Sequence, residues 1–157
     1  MKEIKGNLWD QDADAICITT NGFVKKNGEC VMGAGIAKDA AKRYPNMPKK
    51  LGGLINKYGN RLHIIGSMIR ESIMKLHGET AFSYIIAFPV KHKWFEKADL
   101  KLIETSCKEL VALANDLSWQ KVVLVKPGCG CGKLDWETEV KPLVEKELDD
   151  RFEVIDL

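Results

Sequence analysis

The stretch "KPGCGCGKLDWE", residues 126–137, places three glycines and two cysteines between two segments of regular structure. The hydrophobic run "KVVLVKP" at 121–127 predicts a buried strand, and residues 136–148 predict a helix. Glycine has no Cβ, so the backbone N–H groups of such a loop can approach a ligand closely. A phosphate-binding loop, a metal site and a structural turn are the three interpretations open for this stretch.

A second stretch, "CVMGAGIAKDAA" at residues 30–41, has the same design. Its glycines precede a helix predicted over 35–44, where apolar residues recur at helical spacing. A helix N-terminus carries unpaired N–H groups and a partial positive charge, which favour anions. Ligands of α/β sheets bind beyond the carboxyl ends of strands. Two such loops lying side by side there would hold two linked phosphates.

The rest of the chain alternates between strand-like and helix-like patterns. Apolar and β-branched runs predict strands over residues 2–7, 14–20, 61–68, 71–77, 82–90, 121–127 and 152–157. Helical spacing of apolar residues predicts helices over residues 35–44, 47–58, 98–116 and 136–148. Pro89 is expected to end its strand, and Pro142 fits a helix only near the first turn. This alternation indicates an α/β sandwich with a largely parallel or mixed sheet.

Length and composition limit the class of protein. A chain of 157 residues with 45% hydrophobic and 29% charged residues indicates one globular domain over residues 1–157. A formal net charge of +2 is too small for bulk electrostatic binding of nucleic acid, so any such contact must be local. We expect no membrane contact, since no apolar run reaches the length of a signal peptide or a span. Five cysteines form an odd set, which favours free thiols in the cytoplasm.

Three familiar motifs do not fit the glycine loops. The dinucleotide pattern GxGxxG would need glycine where Lys38 stands. The pattern GxxxxGK[ST] fails at Pro127 and Leu134. Cys129 and Cys131 lack the CxxC spacing of a zinc site, and no second pair accompanies them. A pair of structural turns remains the alternative to a phosphate cradle.

Four stretches in chain order together resemble the macro domain, an ADP-ribose-binding α/β/α module. They are "GNLWDQDADAI" (6–16), "VMGAGIAKDAAKRYPN" (31–46), "YIIAFPVKHKW" (84–94) and "GCGCGKLDWETEVKPLVEK" (128–146). Within that family the sequence is most similar to DarG-like antitoxin macro domains and terminal ADP-ribose protein glycohydrolases. The likeness spans nearly the whole chain and is weakest over residues 47–80. It implies a three-layer α/β/α sandwich with a mixed central sheet.

The resemblance also implies where a ligand would bind. The turn at residues 7–9 would hold adenine, although Asn7 stands where the family commonly has aspartate. Asn21 would face the distal ribose, and the loops at residues 32–36 and 128–134 would hold the diphosphate. The complete set of expected ligand-binding residues is Asn7, Leu8, Trp9, Thr20, Asn21, Met32, Gly33, Ala34, Gly35, Ile36, Pro127, Gly128, Cys129, Gly130, Cys131, Gly132, Lys133 and Leu134.

Lys91, in the string "FPVK", falls on a lysine that the DarG-like branch uses at the anomeric carbon of the distal ribose. A lysine there acts either as a nucleophile that forms an imine or as a proton donor and positioning group. The residues alone favour a solvated lysine after a strand, and the match of the string "FPVK" is what raises the catalytic alternative. Gly132 stands where the glycohydrolases carry a catalytic aspartate, which favours DarG-like chemistry.

The function implied by the resemblance is that of an ADP-ribosyl glycohydrolase. Such a protein binds ADP-ribose and removes it from modified DNA or protein, as a monomer and without a metal or cofactor. A non-catalytic ADP-ribose reader and a phosphatase acting on ADP-ribose-1″-phosphate are the alternatives. Residues 21–30 form an insertion relative to both groups of relatives, and it either shapes the substrate mouth or is idle.

The segment "KHKWFEK" at residues 91–97 mixes cations with aromatic residues. This pattern suits stacking on a base beside a phosphate, while the alternative is a helix entry with Trp94 and Phe95 packed inward. A helix N-terminus behind the second loop would lower the pKa of Cys129 or Cys131. Asp135 is expected to cap the last helix.

Overall fold

The computed structural model describes residues 1–70 and 81–157. One six-stranded sheet forms their centre, in the spatial order β1-β6-β5-β2-β4-β3. The strands are β1 (Lys2–Lys5), β2 (Ala15–Asn21), β3 (His63–Ile69), β4 (Phe82–Lys91), β5 (Val122–Val125) and β6 (Phe152–Asp156). All neighbouring strands are parallel except β3 and β4, which are antiparallel. The predicted mixed sheet is confirmed.

Helices cover both faces of the sheet. In the described ranges they are α1 (Gly35–Arg43), α2 (Met47–Tyr58), α3 (Leu100–Asp116) and α4 (Lys141–Glu147), with a 3₁₀ turn at Leu8–Asp10 and a π-helical turn at Trp136–Val140. None of these helices is long and apolar enough to cross a membrane.

Side chains of each central strand alternate between two separate hydrophobic clusters. Cys17 and Leu124 pack into the cluster formed with α3 and α4, whereas Ile16, Ile18 and Val123 pack into the cluster formed with α1 and α2. This period of two is what a strand buried on both faces requires. The two clusters on opposite faces confirm the three-layer α/β/α sandwich.

Most predicted elements are present, with shifted ends. The strand predicted at 71–77 lies outside the described residues. The third helix begins at Leu100 because the Asp99 side chain accepts hydrogen bonds from the first-turn N–H groups. The helix predicted at 136–148 is confirmed, although it begins as the π-helical turn Trp136–Val140 and continues as α4. Pro142 lies in the first turn of α4, as expected.

Pro89 does not end its strand, contrary to the prediction. Strand β4 continues to Lys91 and pairs Pro89 with Thr20 of β2. The pairing with β3 reaches no further along β4 than Ala87, so Pro89 lies where that side of the strand has no described β-partner. A residue without an N–H is tolerated there because no ladder hydrogen bond to β3 is lost.

Candidate functional site

A cleft of about 730 Å³ opens at the carboxyl edge of the parallel strands. The ends of β4, β2, β5 and β6 form its floor in that order, represented by Lys91, Asn21, Val125 and Asp156. Neighbouring strands are about 4.8 Å apart, so the ends of β4 and β6 are about 14 Å apart. The cleft is therefore long enough for an extended ligand that reaches across four strands.

Both glycine loops line this cleft. The predicted residues that do so, together with Lys91, are Thr20, Asn21, Met32, Gly33, Ala34, Gly35, Ile36, Gly128, Cys129, Gly130, Cys131 and Gly132. The sequence placed these loops near strand ends, and parallel packing brings them to opposite walls of one space. A ligand between them contacts backbone from two directions.

The first glycine loop (residues 32–36) leads into the N-terminus of α1. Ala34 is the N-cap residue and offers no side-chain hydrogen bond, and the first turn of α1 contains no acidic residue. The first N–H groups of the helix therefore lack a capping side chain at the cleft wall. A Cβ added to Gly33 or Gly35 would meet no atom within 4 Å. These properties leave room and free N–H groups for an anionic group, and the predicted diphosphate role of the loop stays a prediction.

The second glycine loop (residues 128–134) holds its glycines for two different reasons. Gly128 has a φ of +73°, and a Cβ on it would lie 2.8 Å from the Cβ of Ala98. A Cβ on Gly132 would lie 2.5 Å from the carbonyl oxygen of Gly128. A Cβ on Gly130 would meet no atom within 4 Å. Packing thus requires glycine at 128 and 132, whereas Gly130 leaves open space for a ligand.

Hydrogen bonds fix the shape of the second glycine loop. The N–H of Leu134 donates to the carbonyl of Gly128 at 2.9 Å, and the N–H of Ala98 donates to the carbonyl of Gly132 at 2.9 Å. These contacts tie the two ends of the loop together and fasten it to the segment before α3. The loop is therefore formed without help from a ligand.

Lys91 lies at the β4 end of the cleft with a side chain that is only 8% exposed. Its Nζ donates to the carbonyl oxygen of Cys131 at 3.4 Å. Its own carbonyl accepts from the N–H of Gly22 at 3.1 Å and from the amide of Asn60 at 3.2 Å. Backbone and amine are thus both held in place. Among the described residues no carboxylate forms an ion pair with this amine.

The side chain of Asn21 forms hydrogen bonds with the segment that leads into the first glycine loop. Its Nδ2 donates to the carbonyl of Val31 at 2.9 Å, and its Oδ1 accepts from the N–H of Phe23 at 2.9 Å. One N–H and one lone pair of the amide stay available for a ligand. Its predicted role at the distal ribose stays a prediction.

Residues 22–31, which overlap the insertion predicted at 21–30, form a hairpin docked on α2. Val24 and Cys30 form a bridge, and the N–H of Cys30 donates to the carbonyl of Pro48 at 2.9 Å. A Cβ on Gly52 of α2 would lie 1.9 Å from the carbonyl oxygen of Gly28, so the backbones touch. The hairpin carries the first glycine loop, and it fixes one wall of the cleft.

Six predicted ligand-binding residues lie outside the cleft lining: Asn7, Leu8, Trp9, Pro127, Lys133 and Leu134. The Oδ1 of Asn7 accepts from the N–H of Trp9 at 3.0 Å, which caps the 3₁₀ turn. Leu8 and Trp9 are buried in the core beneath α1. The N–H of Gly6 donates to the carbonyl of Asp156 at 3.1 Å, so this turn borders the β6 end of the cleft. A ligand role for these residues stays a prediction.

Sequence reasoning missed several lining residues. Lys126 and Asp156 form an ion pair at 3.6 Å at the β6 end. The alternative prediction for Trp94, that it packs inward, is wrong because Trp94 is 53% exposed and lines the cleft. The carboxyl end of each predicted parallel strand was the available signal for Lys126 and Asp156. Asp135 caps its helix as predicted, accepting from the N–H of Thr138 at 2.8 Å.

The two thiols of the second glycine loop differ in burial. Burial raises the pKa of Cys129 to about 11, so the lowering predicted for that thiol is wrong. Burial likewise raises the pKa of Cys30 to about 12. Cys131 is exposed in the cleft wall. Across residues 1–70 and 81–157 no group of three or more His, Cys, Asp or Glu side chains is placed to hold a metal ion.

Comparisons with known proteins agree with this geometry. A family model for the Macro domain matches residues 26–142, and the chain belongs to that family. A DNA ADP-ribosyl glycohydrolase of Mycobacterium tuberculosis is 31% identical over 142 residues, which cover 88% of this chain and 36% of the relative. The chain thus spans about a third of the length of the curated relatives it matches.

Solved structures give the same fold. The macrodomain of Mycobacterium tuberculosis DarG has a TM-score of 0.74 and 26% identity, with 98% of this chain and 95% of that chain covered. Thermosipho africanus DarTG, solved in complex with ADP-ribose, has a TM-score of 0.76 at 18% identity and covers 98% of this chain and 40% of that chain. At that identity the second likeness concerns the fold alone.

Proposed function

We propose that the cleft binds ADP-ribose and that the chain hydrolyses ADP-ribose from a modified macromolecule. The observation that carries this proposal is the meeting of two glycine loops at one cleft, with the amine of Lys91 against the second loop. The glycohydrolase activity of the mycobacterial relative supports the same function.

In this proposal the diphosphate lies between the two glycine loops. The N–H groups of α1 and of the loop around Gly130 bind its oxygens, with glycines that leave room for close approach. The distal ribose then points toward Lys91 and Asn21, and adenosine points toward the β6 end. The turn at residues 7–9 and Asp156 border that end, and this proximity supports the proposed adenine position.

Lys91 is proposed to act at C1″ of the distal ribose. As a nucleophile, the neutral amine attacks C1″, and the leaving group departs with the electron pair of the glycosidic bond and takes up the proton released from the new C–N bond. The sugar ring then opens to an imine, which water hydrolyses to free ADP-ribose and the amine. As a proton donor, it protonates the leaving group while water attacks C1″. The held backbone and buried stem keep the amine at one position in either case.

DNA is the leading carrier of the ADP-ribose, because the curated relatives are named for DNA. Modified protein comes next. Gly132 has no space for the aspartate of the protein glycohydrolases, since even a Cβ there would overlap the carbonyl of Gly128. The lysine–aspartate pair of that branch therefore has no counterpart at this position.

A non-catalytic reader is the second candidate, and one observation favours it. Within the described cleft lining the only carboxylate side chain is that of Asp156, which lies at the β6 end and pairs with Lys126. No carboxylate in that lining stands beside Lys91 to take or supply a proton. A phosphatase acting on ADP-ribose-1″-phosphate is the third candidate.

The deciding experiment compares the parent chain with Lys91→Met, which keeps the length of the side chain and removes the amine. Isothermal titration with ADP-ribose measures binding. Turnover is followed on ADP-ribosylated thymidine DNA, on protein carrying ADP-ribose on glutamate, and on ADP-ribose-1″-phosphate. We expect kcat on DNA to fall by about 10²-fold or more in the variant, with ADP-ribose affinity retained. Lys108→Met, on an exposed face of α3, is the matched control.

Each other outcome has a defined meaning. Unchanged turnover in Lys91→Met removes the amine from the mechanism. Binding without turnover on any substrate identifies a reader. Failure of the parent chain to bind ADP-ribose contradicts the assignment of the cleft.

We further propose that residues 1–157 act as one monomeric macro domain in the cytoplasm. The five cysteines are unpaired, and Cys17, Cys30 and Cys107 are buried, which suits a reducing compartment. Light scattering on the purified chain checks the monomer, since a dimer mass contradicts it.

A further inference from the structure

Two neighbouring aromatic side chains stand in solvent beside the cleft. Trp94 is 53% exposed and Phe95 is 62% exposed. Their ring centroids are 5.3 Å apart and the rings are nearly perpendicular, at 86°. Large aromatic side chains are ordinarily well buried, so an exposed pair at the mouth of a cleft suggests contact with a ligand or a macromolecule. We call these two residues the aromatic platform.

The platform is held rigidly by the backbone that connects β4 to α3. The N–H of Glu96 donates to the carbonyl of Lys93 at 3.1 Å, closing a turn around the two aromatics. Beyond the turn, the N–H of Asp99 donates to the carbonyl of Val90 at 2.8 Å. The neighbouring Ala98 is buried against the second glycine loop. The exposed rings are thus presented by a fixed turn and not by a loose loop.

The platform continues the cleft outward. Trp94 lines the cleft, while Phe95 lies just outside the lining. Lys91 precedes Trp94 by three residues and marks the end of the cleft where the distal ribose is proposed to bind. Whatever is attached to C1″ must leave the cleft at this end. Trp94 lines the cleft at this end, so the platform adjoins the exit that the attached macromolecule would use.

One cation lies beside the rings. The Nζ of Lys93 lies 5.8 Å from the centroid of Phe95, and the exposed Lys97 follows the turn in the sequence. Glu96 is the one acidic side chain inside this turn, and the carboxylate of Asp99 lies 3.4 Å from His92. Aromatic rings beside lysines are the combination that binds single-stranded nucleic acid, since bases stack on the rings and phosphates pair with the cations.

We propose that the aromatic platform stacks a nucleobase of a single-stranded nucleic acid whose ADP-ribosylated base enters the cleft. This inference rests on the proposed function and adds the residues that select a nucleic-acid carrier. Trp94 lies closest to the modified nucleotide and Phe95 supports its neighbour in the strand. Lys93 pairs with a phosphate between them. The net charge of +2 fits this arrangement, because the contact is local.

The test uses Phe95→Ala and a matched control. Phe82 is also an exposed aromatic that forms an edge-on pair, with Tyr84 at 5.2 Å. It lies at the start of β4, roughly 30 Å along the strand from Lys91. Phe82→Ala removes the same side chain far from the cleft, and Phe95→Tyr keeps a ring on the platform.

Binding and turnover are measured on an ADP-ribosylated single-stranded oligonucleotide and on free ADP-ribose. We expect Phe95→Ala to weaken oligonucleotide affinity and lower kcat/KM on the order of tenfold, while ADP-ribose affinity stays within twofold. Phe95→Tyr should restore the parent values and Phe82→Ala should match them. Lys93→Ala should reduce the slope of log affinity against log salt by about 0.7, the share of one phosphate contact.

The failures of the two proposals are distinguishable. A parent chain that binds ADP-ribose but gains no affinity from the attached oligonucleotide overturns the platform alone. A Phe95→Ala variant with the same oligonucleotide affinity and kcat/KM as the parent also overturns the platform alone. The same holds if the only effect of Phe95→Ala is a change of molecular mass in light scattering, since that result identifies a protein interface. A parent chain that binds neither ligand overturns the proposed function and the platform together.

Discussion

Gly132 and Gly130 differ by two positions in one loop, and they should respond to alanine in opposite ways. At Gly132 a Cβ would lie 2.5 Å from the carbonyl oxygen and 2.8 Å from the Cα of Gly128. These are backbone atoms, which cannot rotate away, so the overpacking cost falls at the upper end of the usual range, about 3 kcal/mol. Alanine also reduces the entropy of the unfolded chain, which offsets about 0.4–1 kcal/mol.

The net loss for Gly132→Ala is therefore about 2 kcal/mol, which lowers Tm by about 4–8 °C for a chain of this size. A Cβ at Gly130 would meet no atom within 4 Å, so Gly130→Ala should fold as stably as the parent. It should nevertheless weaken ADP-ribose binding, because the added methyl group occupies the space proposed for the diphosphate.

Urea denaturation gives the free energy of unfolding of both variants, and isothermal titration gives their ADP-ribose affinity. A Gly132→Ala variant whose free energy of unfolding lies within about 0.5 kcal/mol of the parent's would contradict the predicted clash, since neutral surface substitutions have effects of that size. So would a Gly130→Ala variant that is destabilised as strongly as Gly132→Ala.

Three further substitutions or modifications test other parts of the structure. Gly52→Ala should lower the free energy of unfolding and weaken ADP-ribose binding, because the added Cβ displaces the 22–31 hairpin. Gly53→Ala has open space around it and should stabilise α2 by about 1 kcal/mol in urea denaturation. Equal effects of the two substitutions would contradict the docking of the hairpin on α2. Iodoacetamide at pH 8 should label exposed Cys131 before Cys129, because burial raises the pKa of Cys129 to about 11. ADP-ribose should slow the labelling of Cys131, and mass spectrometry follows both thiols. Labelling of Cys131 at the same rate with and without ADP-ribose would count against the cleft as the binding site. Hydrogen bonds from the backbone N–H and the hydroxyl of Thr138 lower the pKa of Asp135, so the stability that this carboxylate adds is present above pH about 4 and is lost as pH falls through its folded pKa. Asp135→Ala should therefore equal the parent in stability only in strong acid. A difference in Tm that persists in strong acid would contradict the capping role.

The parts of the fold that follow local patterns were predictable from the sequence. Helix α2 has the predicted bounds, Met47–Tyr58, because its apolar stripe and the following Gly59 are local signals. The two glycine loops were located for the same reason, since glycines between a strand and a helix need no tertiary information. The resemblance to macro domains is confirmed by the family match over residues 26–142.

The parts that depend on distant contacts were not predictable. Asp156 lies at the end of a predicted strand, but its place beside Lys126 depends on β6 lying between β1 and β5, an arrangement that pairs the two ends of the chain. Glycine is required at 132 because Ala98 and Gly128 pack against it, and neither contact is visible in a local pattern. Trp94 resembles a core residue by type, and the turn that holds it outward is fixed by hydrogen bonds to other segments.

The central claim is that the two glycine loops bind one diphosphate between them. A crystal structure of the chain grown with ADP-ribose tests it directly. We expect diphosphate oxygens within hydrogen-bonding distance of N–H groups from both the first turn of α1 and the loop around Gly130, with C1″ beside the amine of Lys91. Density for ADP-ribose that contacts one loop or neither, or a distal ribose at the β6 end of the cleft, would contradict it.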